Sequence, residues 1–172
     1  MKKQNSILNY EIVSTIFVLI LGVILHFAFE WSNKNLLVGV FSAVNESTWE
    51  HLKLLFFPML ITIVIGTFLF SKDFPNYLCS KTKGIVLSML LVVILFYTYT
   101  GIIGKDYAVL NIVIFFISVI LGEVYIYKKI SSNSSCNNLI AVIILLVLFL
   151  CFIIFTFSPP KIGLFIDPVT GV

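Results

Sequence analysis

The sequence contains no arginine; all eleven of its basic residues are lysines. The planar guanidinium of Arg grips phosphate with two parallel bonds, whereas Lys offers only a point charge. No basic run is longer than two residues, and the two observations together argue against nucleic acid as a partner. Charge of any sign is scarce. Only 11% of residues are charged and 60% are hydrophobic, against about 25% charged in an ordinary soluble domain. A soluble fold of 172 residues could not hide that much apolar surface, so lipid must be the main solvent. Histidine is limited to His26 and His51, and cysteine to Cys79, Cys136 and Cys151. No C-x-x-C, H-E-x-x-H or G-x-S-x-G pattern is present, and no phosphate-cradling loop. No internal repeat stands out.

What the sequence does have is long apolar runs. A helix needs about 20 apolar residues to cross roughly 30 Å of hydrocarbon. Five stretches qualify: 10–29, 48–70, 84–103, 108–127 and 139–157. Each should be a helix, because lipid cannot hydrogen-bond a bare backbone. Lys2 and Lys3 before the first run suggest a signal peptide, but the run is long and no A-x-A-like site follows it, so it reads as a retained span. The segment 36–44 is too short to span and reads as an interfacial or re-entrant piece. The fold expected is one all-α polytopic bundle of five spans, followed by a tail (158–172) carrying Pro159, Pro160 and Pro168.

Orientation is read from the lysines. With the N-terminus in the cytoplasm and the C-terminus outside, Lys2, Lys3, Lys72, Lys81, Lys83, Lys128 and Lys129 are inside, and Lys34, Lys53, Lys105 and Lys161 outside. This N-in/C-out arrangement suits a multi-pass protein of the bacterial cytoplasmic membrane, with the lipid bilayer as its surroundings and no protein partner specified. It places Cys79 and Cys136 in cytoplasmic segments, where thiols stay reduced. Trp31 and Trp49 flank the first outer loop as interface anchors, and Tyr10, Tyr107, Tyr125 and Tyr127 read as belt residues.

Ionisable groups beside spans are costly and therefore informative. His26 and Glu30 lie four residues apart near the outer end of the first span and share a face, which continues inward through Gly22, Val18 and Ser14. His51 opens the second span, and its face continues through Pro58, Thr62 and Gly66. Small and polar stripes of this kind face other helices, so the two histidines should meet. Glu46, Glu50 and Asp167 lie on the same side of the membrane, and Tyr97 and Tyr99 approach it. Imidazole nitrogen and carboxylate oxygen suit a divalent metal such as zinc. The expected ligands are His26, Glu30, His51 and Asp167, with Glu46 and Glu50 as catalytic carboxylates activating a metal-bound water. Simpler roles exist for each. Ser47 and Glu50 match a capping box; His26 could be a core histidine bonded to Glu30 or a carbonyl; Glu50 and Lys53 could pair weakly along the helix. Glu123 could snorkel toward Lys128, and Asp167-Pro168 could make a turn.

The segments His26–Trp31 and Val38–Lys53, the latter containing VNESTWEHLK, resemble the signature of a family of small uncharacterised bacterial multi-spanning membrane proteins. Pro160, Phe165, Asp167 and Pro168 resemble that family's ending. The resemblance covers most of the chain and is sharp only at those two places. It implies no activity, only that the outer cluster is the distinguishing feature. Membrane hydrolases of the CAAX-protease and ceramidase-like kinds need further histidines in later spans, which this chain lacks. Three functions remain open: a metal or polar-ligand site for membrane-embedded hydrolysis, a small or proton-coupled carrier, and a non-enzymatic assembly partner in which the cluster is structural. The carrier is disfavoured by the lack of an evident mid-bilayer charge or broken-helix pair.

Overall fold

The computed structural model of the protein describes residues 2–130, 136–168, 170 and 171; the first part of the polar segment expected to connect the last two spans, 131–135, lies outside them. Its elements are α1 (Lys2–Trp31), α2 (Leu36–Gly39), α3 (Thr48–Phe70), α4 (Tyr77–Ile103), α5 (Ala108–Ile130), α6 (Asn138–Phe157) and a 3-10 turn at Gly163–Phe165. Among the described residues there is no strand, and five helices (α1, α3, α4, α5 and α6) are long and apolar enough to cross a membrane. The all-α, five-span expectation is what the structure shows. The apolar segment after α1 makes only the single turn α2, opened by Asn35, whose side chain accepts from the Leu37 amide at 2.9 Å.

Helices α1, α3, α4 and α5 close a ring, each touching the next, and α6 lies outside it against α4. Covered by the ring on one side and by α6 and the tail on the other, α3 is the core helix: Leu55, Phe56 and Met59 are wholly buried. Most of α6 is exposed, but Phe152 is fully buried against Trp49 and Phe56, at ring-centroid distances of 4.6 and 4.9 Å. Trp49 is accordingly a core residue and not an interface anchor; Trp31 is exposed. Tyr10 also leaves the belt, its hydroxyl donating to the Thr62 carbonyl at 2.6 Å.

The small stripes foreseen on α1 and α3 do face inward: Ser14, Val18 and Gly22 are buried on one helix, Pro58, Thr62 and Gly66 on the other. Pro58 has no N–H to give to the carbonyl four residues back, which is that of Leu54. Gly22 occupies the space beside this carbonyl, and a Cβ there would come within 2.8 Å of it. Gly66 is as crowded: a Cβ would overlap the Tyr77 hydroxyl and lie 2.9 Å from the Tyr10 ring. Gly66→Leu should therefore lower stability by the 1–3 kcal/mol or more typical of overpacking, about 2 as a central figure. Leu69→Ala, at a position 60% exposed, should cost about 0.5 kcal/mol or less. A thermal melt in detergent that ranks the two in the opposite order would mean that the interior face of α3 has been misassigned.

Three expectations fail around the start of α4. The helix begins at Tyr77, seven residues before the hydropathy boundary, so Lys81 lies inside a helix and is fully buried. The reason is that two carboxylates, Glu11 and Glu123, neutralise it. Glu123 correspondingly does not snorkel toward Lys128; it is 3% exposed and points into the ring. The early start also carries Cys79 to the end of the bundle beside the start of α6, where it forms a disulfide with Cys136, Cα to Cα 6.3 Å, in place of the free thiols expected.

Candidate metal centre

The chain reverses between α1 and α3 through a loop held mostly by its own polar groups. Ser47 caps α3, its hydroxyl accepting from the Glu50 amide at 3.4 Å, and the Asn45 side chain accepts from the Ser47 amide at 3.0 Å. This cap fixes His51 in the first turn of α3. The His51 Nδ1 lies 2.9 Å from the Ser47 carbonyl oxygen, so Nδ1 carries the proton and donates, and Nε2 is left as the basic nitrogen. Nε2 points to Glu46, 3.4 Å from Oε2.

His26 arrives from the last turns of α1. Its ring centroid is 5.1 Å from that of His51, with the planes tilted by 42°. Phe27 packs edge-on against it at 4.8 Å. The His26 Nδ1 is buried and has no hydrogen-bond partner, an arrangement that costs free energy unless something else engages the nitrogen. His26, Glu46 and His51 each offer one donor atom such that all lie within 4.8 Å of one another. The Glu46 carboxyl, in the loop, is held below the usual carboxylate range, first by its hydrogen bond with His51 and against the opposing effect of partial burial.

The other expected residues are placed differently. Glu30 is exposed and faces Lys34, 3.6 Å away, one helical turn from His26 but outside the cluster. Asp167 is buried and braces the loop: Oδ2 accepts from the Glu46 amide at 3.5 Å and Oδ1 from the Thr170 amide at 3.3 Å. Glu50 is 2% exposed and forms an ion pair with Lys53, while its Oε2 also accepts from the Val44 amide at 3.0 Å. Lys53 is completely buried and donates to the Gly39 carbonyl at 2.7 Å and to the Thr156 hydroxyl at 3.0 Å. The pair is thus no weak surface bridge but a clasp that joins α2, α3 and α6. Tyr99 is occupied elsewhere, bonding Asp106 at 2.6 Å and Asn111 at 2.5 Å across the α4–α5 turn.

Chemically, two imidazoles and a carboxylate make a three-donor set that leaves a fourth tetrahedral position open, as in water-activating zinc sites. Ligands held at 2.0–2.1 Å from one zinc lie no more than about 4 Å apart, so the three donors would need to draw slightly together. The His51 Nδ1–carbonyl bond is the kind of outer support that orients a ligating imidazole and fixes its tautomer.

The protein is therefore a helical bundle with membrane-crossing dimensions and a His/Glu cluster at one end. A family model described as Family of unknown function (DUF6512) matches residues 1–172, and the chain belongs to that family. No curated protein and no solved structure matches it.

Proposed function

We propose that His26, Glu46 and His51 hold a divalent metal, zinc by its donor preference, at the outer end of a multi-pass protein of the bacterial cytoplasmic membrane. The metal site would serve hydrolysis of a lipid-linked substrate. The observation that carries this reading is the convergence of three donor atoms from two helix ends and a loop within 4.8 Å, with the far nitrogen of His51 already tied to a carbonyl. The position of the cluster at the membrane boundary lets a headgroup reach it while the acyl chains stay in lipid. Glu46, expected as a catalytic group, sits better as a ligand, and Asp167 braces its backbone. The test is elemental analysis of the detergent-purified protein. About one zinc per chain is expected, and a protein that remains metal-free after zinc is supplied and excess removed would end the hydrolase reading.

The outward placement of the cluster rests on an N-in orientation. Its support is the lysine distribution, which sharpens once the buried Lys81 and Lys53 are set aside: Lys2, Lys3, Lys72, Lys83, Lys128 and Lys129 stand against Lys34, Lys105 and Lys161. The Cys79–Cys136 disulfide weighs the other way, because such bonds persist in oxidising compartments. Single cysteines introduced by Lys105→Cys and Lys72→Cys, in a background lacking the native cysteines, separate the two. An impermeant thiol reagent applied to intact cells should label the first and miss the second. The reverse pattern would turn the protein over, placing the disulfide outside and the histidines in the cytoplasm.

A further inference from the structure

At the opposite end of the bundle from the histidines lies a second cluster that hydropathy concealed. Lys81 of α4 is fully buried, and its ammonium donates to Glu11 Oε2 of α1 at 2.5 Å and to Glu123 Oε2 of α5 at 3.0 Å. Both carboxylates are themselves buried, at 3% exposure each. We propose that Glu11, Lys81 and Glu123 form a proton-binding site that keeps one exchangeable proton on its two carboxyl groups.

Charge balance is the first argument. Two carboxylates face one ammonium, so the fully ionised cluster carries a net negative charge inside an apolar helix ring. Removing an unbalanced charge from water carries a large desolvation penalty, and ionisable groups within membrane spans are costly for the same reason. One proton, taken from water as the cluster forms and returned to water when it is released, makes the cluster neutral. Among the described residues Lys81 is the cation paired with these two carboxylates. The neighbouring groups are Tyr10 on α1 and Tyr77 on α4, each ring centroid 6.0 Å from the Lys81 ammonium. Both phenol hydroxyls are directed at the Thr62 carbonyl of α3, at 2.6 and 3.4 Å. The charged residues of α3, Glu50 and Lys53, and its His51 all lie in its first two turns, at the far end. α6 brings no charged side chain.

Geometry is the second argument. Lys81 uses one oxygen of each carboxylate, and the other two, Glu11 Oε1 and Glu123 Oε1, are buried without a hydrogen-bond partner. A pair of bare carboxylate oxygens is untenable in a dry interior, and protonating one converts it to a donor. Independently, the hydroxyls of Ser88 and Ser118, both completely buried, also lack partners. Ser88 lies two turns beyond Lys81 on α4, and its hydroxyl is packed against Gly122, the residue next to Glu123. Ser118 lies one turn further along from Gly122 on α5, and Ser14, also buried, one turn beyond Glu11 on α1. Each ring helix that supplies a charge thus also supplies a buried hydroxyl deeper in the bundle. From the other direction, Lys81 is four residues inside the start of α4, about 6 Å at 1.5 Å per residue, so the cluster lies close to one end of the bundle.

A purely structural ion triad, with both carboxylates charged, differs from a proton site in one observable. The infrared spectrum of the detergent-purified protein at pH 7 should show a carboxylic-acid C=O band that shifts on transfer to D2O. Glu11→Gln and Glu123→Gln should each remove that band while leaving the protein folded, with an unchanged or higher melting temperature, since either change alone balances Lys81. Absence of the band in the wild-type protein, its persistence in both variants, or its failure to shift in D2O would each overturn the proposal. So would the unfolding of both single variants, which would mean that two negative charges are required.

Discussion

His51→Ala is expected to reduce zinc affinity by more than the roughly 10–100-fold that follows loss of an outer supporting group, enough to leave the purified protein without stoichiometric metal. The argument is geometric. His51 is the member whose orientation is most completely determined, with Nδ1 fixed on the Ser47 carbonyl at 2.9 Å and Nε2 directed at Glu46. His26→Ala should act similarly, because its Nδ1 has no other partner to account for its burial. Asp167→Asn should fall within the 10–100-fold range, since it supports the Glu46 backbone without joining the donor set. Glu30→Gln should change nothing, because Glu30 faces Lys34 outside the cluster. Imidazoles must be neutral to bind metal, so affinity should drop as pH falls through the histidine range. A second readout is thermal. Zinc at about 100 times its dissociation constant should stabilise the wild-type protein by about 2.7 kcal/mol, and the His51 variant not at all. If Glu30→Gln and His51→Ala weaken zinc binding equally, the metal is adventitious and held by exposed carboxylates.

The residues that hydropathy and periodicity could locate were those whose chemistry varies along a helix face. On α1 the stripe Ser14, Val18, Gly22, His26 differs from its lipid-facing neighbours in size and polarity, and on α3 the stripe His51, Pro58, Thr62, Gly66 does the same. Spacing alone then brings His26 toward His51. What spacing could not decide was which nearby carboxylate turns inward. Glu30 shares the face of His26, yet it lies one turn further toward water, where hydration outweighs any gain from the cluster. Glu46 sits in the loop, where no periodicity applies, and only the Asn45–Ser47 turn and the brace from Asp167 aim it at His51.

The Glu11–Lys81–Glu123 cluster was illegible for a different reason. A lysine near a hydropathy minimum is normally at a helix end in water, and Lys81 lies between polar residues that reinforce that reading. Yet the signal was present: Tyr77, Lys81, Ile85, Ser88 and Val92 recur at intervals of three and four, which is the buried face of α4. A lysine on that register has to find an acid. Glu11 and Glu123 are the acids within the first and fourth apolar runs, both toward the same end of the bundle. The carrier-type reading was disfavoured for want of a mid-bilayer charge or a broken-helix pair, and this cluster, four residues inside the start of α4, supplies a buried charge near one end of the bundle rather than at its middle. The same stripe of α1 runs from Glu11 to His26, fifteen residues or about 22 Å, so one helix face links the two ionisable sites.

Lys53→Met is expected to be the most destabilising of the substitutions at the histidine end. Lys53 is completely buried and its ammonium serves three groups: the Glu50 carboxylate, the Gly39 carbonyl and the Thr156 hydroxyl. Methionine fills much of the same volume, so packing changes little. What remains is an uncompensated Glu50 carboxylate at 2% exposure, and breaking a buried pair in this way costs about 3–5 kcal/mol. The loop carbonyl of Gly39 loses its donor as well, which loosens α2 and the segment leading to Glu46, so metal affinity should decline with stability. The double variant Lys53→Met/Glu50→Gln separates charge from contact. Its amide is uncharged and keeps an acceptor for the Val44 amide, which Glu50 now binds at 3.0 Å. Removing the stranded charge should therefore recover a large part of the loss, leaving a deficit of about 1–2 kcal/mol for the missing hydrogen bonds. Equilibrium unfolding in mixed detergent measures both variants on one scale. A single variant that loses less than about 1 kcal/mol would show that water reaches Glu50. A double variant no more stable than the single would show that the clasp acts through its hydrogen bonds and not through charge.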